Sequence, residues 1–134
     1  MVHWNNSYEY GKVQEDKVYP VIKEYFDADT ITQSKGQYAK YDYIGDGVNY
    51  ELKSRTNKYD AYPTTMLTCN KFPTTKDTRL ICLFNFTDKL AFIEYDEEKF
   101  HTFTTALFSR AGCCWDEKNH IYIPIEDLTV IKEW

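Results

Sequence analysis

From Arg79 to Phe86 the chain reads Arg-Leu-Ile-Cys-Leu-Phe-Asn-Phe, a short and almost continuously apolar run. A strand with one wet face would alternate, so this run reads as a strand covered on both faces. Thr87-Asp88-Lys89 turns it into a second apolar run, Leu90 to Tyr95, and the two form a hairpin. The rest of the chain must supply both covering layers. With 134 residues, 43% hydrophobic, 17% aromatic and only 4 prolines, it has the material for one compact domain, residues 1–134, and too little for two.

Residues 8–27 place Val18, Ile22, Tyr25 and Phe26 at the spacing of an amphipathic helix, which Pro20 would kink or divide into two segments. From Tyr38 to Arg55 aromatic and β-branched residues flank Gly45-Asp46-Gly47, the pattern of a hairpin about a glycine-rich turn. After Tyr62-Pro63, the stretch Thr64 to Phe72 has a threonine cap and apolar Met66, Leu67 and Phe72, which predicts a short helix. Residues 97–111 fit two templates, since Phe100, Phe103 and Leu107 suit a helix and the threonines between them suit a strand. His120 to Ile125 alternates as a strand, and Glu126-Asp127-Leu128 opens a terminal segment that docks through Leu128 and Ile131. The order is helix, hairpin, helix, hairpin, end, an α/β pattern.

No stretch approaches the roughly 18–20 apolar residues of a membrane span, and Met1 to Asn6 lacks a signal pattern, so the chain reads as a soluble intracellular protein. Cys69, Cys82, Cys113 and Cys114 show no C-x-x-C spacing, the usage of reduced thiols rather than a zinc site. His3, His101 and His120 are scattered, which argues against a Ser-His-Asp or Cys-His hydrolase. The net charge of −5 argues against a protein that coats nucleic acid. That average hides a basic window: residues 53–79 carry six basic and two acidic side chains inside an otherwise acidic chain. A basic window beside clustered carboxylates suits a metal-dependent enzyme acting on a phosphodiester, while a run of solvated lysines would look the same.

The chemistry concentrates between Tyr41 and Arg55. On a strand Glu51 and Lys53 project together while Leu52 turns into the core. If the turn takes four residues, Gly45 to Val48, Asp42 lies opposite Glu51 on the neighbouring strand. Two carboxylates that close call for a cation, and hard oxygen donors suit Mg²⁺ or Mn²⁺, with Lys53 placed to orient a water and counter charge on a phosphorane. The acid-x-lysine pattern occurs four times in the chain, but only Glu51-Leu52-Lys53 lies in a strand-like stretch with an acid upstream across a tight turn. The same residues could instead be a polar hairpin face whose charges pair. Glu15 weighs against that, because its spacing to Val18, Ile22 and Tyr25 sets it on the apolar side of the first helix, where an acid needs a partner or a cation. Asp46, in the turn, is the alternative to Asp42 as the upstream acid.

Glu15 on a first helix, Asp42 on a strand, Glu51-Leu52-Lys53 on the next strand and a following helix resemble the PD-(D/E)XK nuclease superfamily over residues 8–95. The pattern is similar to archaeal Holliday-junction resolvases and, with Ser54-Arg55 and Tyr62-Pro63-Thr64-Thr65, to small nuclease-like proteins of large DNA viruses and phages. The resemblance implies a restriction-endonuclease-like mixed β-sheet flanked by helices. It implies Asp42, Glu51 and the Leu52 carbonyl as ligands of Mg²⁺ or Mn²⁺, Glu15 as an outer ligand, and Lys53 beside the attacking water. Tyr41 stands where the named motif has proline.

The substrate expected is DNA recognised by structure rather than sequence, since one small domain has too little footprint to read a long site. RNA stays open, because this chemistry needs no 2′-hydroxyl, and a resolvase would have to be a homodimer. Arg55, Lys58 and Lys71 flank the site and read as backbone contacts, with Tyr62, Thr64 and Thr65 donating to a phosphate at the start of the expected helix. A binding module that holds nucleic acid without cutting it is the competing reading.

Overall fold

A computed structural model describes residues 7–26, 29–34, 40–68, 72–73, 77–108 and 118–134. In chain order they form helix α1 (Ser7–Tyr25), strands β1 (Thr32–Gln33), β2 (Tyr43–Ile44), β3 (Val48–Ser54), β4 (Thr64–Thr68), β5 (Arg79–Asn85) and β6 (Lys89–Glu94), helix α2 (Glu97–Phe100), and strands β7 (Thr104–Phe108), β8 (Lys118–Pro124) and β9 (Thr129–Glu133). A mixed six-stranded sheet runs β1-β2-β3-β5-β6-β9, and a three-stranded sheet runs β4-β8-β7. Only the β3–β5 pairing is parallel in the larger sheet. The chain is thus mixed α/β, and among the described residues no helix is long and apolar enough to cross a membrane.

The apolar run is β5, at the centre of the larger sheet and buried from Leu80 through Asn85. Its alternation sorts the core into two layers. Leu80, Cys82 and Phe84 meet Ala91 and Ile93 of β6, Leu67 of β4 and Ile121 and Ile123 of β8. Ile81 and Leu83 face the other way, with Tyr50 and Leu52 of β3, Leu90 of β6 and Val18 and Ile22 of α1. The larger sheet is therefore covered by α1 on one face and by the smaller sheet on the other, rather than by helices on both. Each buried Leu, Ile or Phe contributes about 1.5–3 kcal/mol through the apolar surface it removes from water.

Helix α1 runs through Pro20 unbroken. Pro20 and Asp16 lie on the exposed side, where solvent satisfies the carbonyl that the missing N–H would have bonded. Val18 and Ile22 are fully buried, whereas Tyr25 is 47% exposed and Phe26 takes its place on the core. Asp27, Tyr38 and residues 109–111, included in the expected helix, hairpin and ambiguous stretch, lie outside the described residues.

The helix expected from Thr64 to Phe72 is instead strand β4, paired with β8 from Thr64–Pro124 to Thr68–His120. Thr65 and Leu67 alternate inward, and a β-branched pair after proline suits an extended chain better than a helix. Of residues 97–111, those described, 97–108, satisfy both templates in succession. Asp96 caps α2, its carboxylate accepting from the Glu98 amide at 3.0 Å, and the threonines that follow begin β7.

Candidate active site

The β2–β3 hairpin pairs Tyr43 with Tyr50 and Ile44 with Asn49, and its four-residue turn closes through Gly45 N donating to the Val48 carbonyl at 2.7 Å. Gly47 there has φ 72°, a left-handed conformation that glycine adopts without strain. The paired register ends at Tyr43 and Tyr50, one residue short of the Asp42–Glu51 pair expected from turn counting. Asp42 is fixed from three sides. Its amide donates to the Tyr50 carbonyl at 3.1 Å, its carbonyl accepts from Ser34 N at 2.9 Å, and its carboxylate Oδ2 accepts from Leu52 N at 2.8 Å. The side chain thus takes the bond that a longer β2 would have offered to β3.

Glu15 comes to Asp42 from α1. The Tyr43 hydroxyl donates to the Glu15 carbonyl at 2.6 Å and fastens the middle of the helix over β2. Burial, with the charges of Glu15 and Asp42 nearby, pushes the Tyr43 pKa well up and keeps it a donor. The Glu15 carboxyl shares a hydrogen bond with that of Asp42. Burial first, and then that bond and the charge of Asp42, raise its pKa to about 7, while Lys12, with Nζ 3.4 Å from Oε2, offsets part of the rise.

Glu51 and Lys53 share a face of β3, with Lys53 Nζ 3.7 Å from Glu51 Oε2. Leu52 turns into the core on the α1 side. Glu51 is only 3% exposed, more buried than the leucine beside it. Its register partner is Cys82, a buried free thiol whose pKa is pushed up by burial and by the charge of Glu51. Cys69, Cys113 and Cys114 lie outside the described residues.

Four of the sequence-selected acids and bases therefore form two pairs, Glu15 with Asp42 and Glu51 with Lys53. They are joined through the peptide between Glu51 and Leu52, whose N–H Asp42 holds. Among the described residues no three His, Cys, Asp or Glu side chains stand together as a ready-made metal cage. Asp46 is exposed in the turn.

The expected backbone-contact residues divide differently. Arg55 is half-buried; its guanidinium Nη2 donates to the Met66 carbonyl, and burial lowers its pKa. Lys58 is exposed, and Lys71 lies outside the described residues. Thr64 and Thr65 begin a strand, which removes the helix-start phosphate site expected of them. Arg55, Tyr62, Thr64 and Thr65 instead line one cleft of about 330 Å³, together with Tyr59 and Tyr122. Neither of these two tyrosines stands out in the sequence, because the cleft joins segments more than sixty residues apart. Tyr43, which seats Glu15, carried no signal beyond its place in the hairpin. No protein-family model, curated protein or solved structure matches the chain.

Proposed function

We propose that the chain is a metal-dependent nuclease of the PD-(D/E)XK type, hydrolysing phosphodiester bonds in DNA by recognising structure rather than sequence. The observation that carries this reading is the convergence of Glu15 from α1 and Asp42 from the hairpin on the β3 segment that bears buried Glu51 and, 3.7 Å from its carboxylate, Lys53. The sheet order β1-β2-β3-β5, with β3 and β5 parallel, also suits a restriction-endonuclease-like core. Two features depart from that type: the β3-to-β5 connection carries strand β4 instead of a helix, and Tyr41 replaces proline.

The donor set fits a hard divalent ion. Glu15, its pKa raised by burial and by Asp42, meets the Asp42 carboxyl, and Glu51 adds a buried carboxylate on β3. Mg²⁺ or Mn²⁺ would be held by Asp42, Glu51 and the Leu52 carbonyl with Glu15 outside them, and when bound it supplies Lewis-acid activation of a phosphate oxygen and of water. Lys53, held at Glu51, orients the attacking water and counters charge on the phosphorane. By analogy with the PD-(D/E)XK superfamily, attack of water on phosphorus would break the P–O3′ bond and leave a 5′-phosphate and a 3′-hydroxyl. Junction resolution would further require a two-fold dimer to make paired cuts.

The bond from Asp42 to the Leu52 amide favours a second reading, a module of the same build that binds nucleic acid without cutting it. Lys53→Met separates the two. Under the nuclease reading it abolishes Mg²⁺- or Mn²⁺-dependent cleavage of labelled DNA and leaves affinity within a few-fold, as for a group that acts in the transition state. Parallel loss of binding, or wild type that binds and never cuts, supports the module.

A further inference from the structure

Beyond the carboxylates, β3 leads directly to the cleft. Side chains two apart on a strand share a face, so Glu51, Lys53 and Arg55 point the same way, each about 7 Å further along. The Arg55 amide donates to the Asn85 carbonyl at 2.8 Å and keeps that phase one residue past the end of β3. Lys53 therefore stands between the buried acid and a cleft of about 330 Å³, at the lower end of the size range of small-ligand sites.

Three features of the cleft select an occupant. Four of its eleven lining residues are aromatic, Tyr59, Tyr62, Phe86 and Tyr122. Tyr59 is held rigid by its hydroxyl, which donates to the Ile125 carbonyl at 2.8 Å, and by edge-on contact with Phe86 at 5.5 Å. Tyr62, at 63%, is the most exposed large hydrophobic side chain among the described residues, and its ring stands in the cleft wall. The one charged side chain lining it is Arg55, which spends one of its five N–H donors on Met66 and meets no other acceptor with its guanidinium among the described residues. Along the chain, Lys53, Arg55 and Lys58 bring three basic residues to this end of β3, with Asp60 the first acid after them. A flat π-face with acceptor edges on an anionic backbone satisfies all three, which is the chemistry of a nucleotide whose base is unpaired.

We infer that this cleft seats one unpaired nucleotide of the substrate strand beside the scissile phosphate, making the substrate class nucleic acid with a single-stranded segment, such as a flap or an overhang. The inference rests on the nuclease reading for the position of the cut, and it deepens that reading by naming the substrate. Base-paired nucleotides cannot enter, because their faces are stacked and their edges paired.

The test is fluorescence anisotropy in EDTA at low salt, comparing a blunt DNA duplex with the same duplex bearing a single-stranded overhang. The proteins are wild type, Tyr62→Ala and Tyr62→Trp. The exposure of Tyr62 leaves the core intact in both variants, which their melting temperatures verify. Wild type should bind the overhang about ten-fold or more tightly over the blunt duplex, within the range that stacking one base on an aromatic ring supports. Tyr62→Ala should erase that preference and Tyr62→Trp keep it. Equal binding of the two DNAs, or a preference untouched by Tyr62→Ala, overturns the inference. Parallel incubation with Mn²⁺ isolates the underlying reading: cutting of both DNAs without an overhang preference leaves the nuclease standing and the cleft assignment overturned. A Tyr62-dependent overhang preference with no cutting by wild type upholds the nucleotide seat and overturns the nuclease.

Discussion

Glu15 holds its proton up to about pH 7 because burial and Asp42 both oppose its charge, with only the half-exposed Lys12 against them. The sign of the consequence follows from linkage. Between the ordinary value of 4.5 and about 7, the folded chain binds this proton and the unfolded chain releases it, so this group's contribution to stability falls as pH rises through that window. Glu15→Gln removes the penalty. In EDTA it should match wild type near pH 4.5 and be more stable by about 1–2 kcal/mol at pH 8, after allowance for solvent screening. Chemical denaturation at the two pH values checks this, and a gain that is the same at both would mean that Glu15 ionises normally. The acid at 51, only 3% exposed, has the Lys53 ammonium 3.7 Å from its carboxylate, a cation that offsets part of the cost of burying it.

At the scale of elements, the site depends on α1 being pinned over β2. Tyr43→Phe deletes the bond to the Glu15 carbonyl that ties α1 to β2, and should lower stability by about 1 kcal/mol. Leu83→Ala, at the centre of β5, should cost about 2–5 kcal/mol, because a fully buried leucine leaves a cavity. Thermal or urea unfolding measures both, and equal losses would contradict the layering. The β2–β3 hairpin was legible because its geometry is local: four turn residues fix the pairing of Ile44 with Asn49 and Tyr43 with Tyr50. Strand β4 was not, because its partner β8 lies more than fifty residues on and nothing within residues 64–72 announces the pairing. The alternation of Thr65 and Leu67 was present, but the nearby Met66 and Phe72 imitated a helix.

For the whole molecule, a double-layered core leaves one sheet edge and one hairpin to carry the chemistry. α1 contributes Glu15, the hairpin contributes Asp42, Glu51 and Lys53, and the smaller sheet brings β4 against the end of β3 to complete the cleft. The acids and the lysine were readable from spacing, whereas the division into two pairs and the cleft depend on contacts between distant segments. The central claim, that these acids hold a catalytic divalent ion, is tested most directly by calorimetric titration with Mn²⁺ at pH 8. Wild type is compared with an Asp42→Asn, Glu51→Gln variant, in which the amide oxygen introduced at position 42 can still accept the Leu52 N–H. The expected result is saturable uptake by wild type that is lost in the variant. Equal uptake by both, or none by wild type, would contradict it.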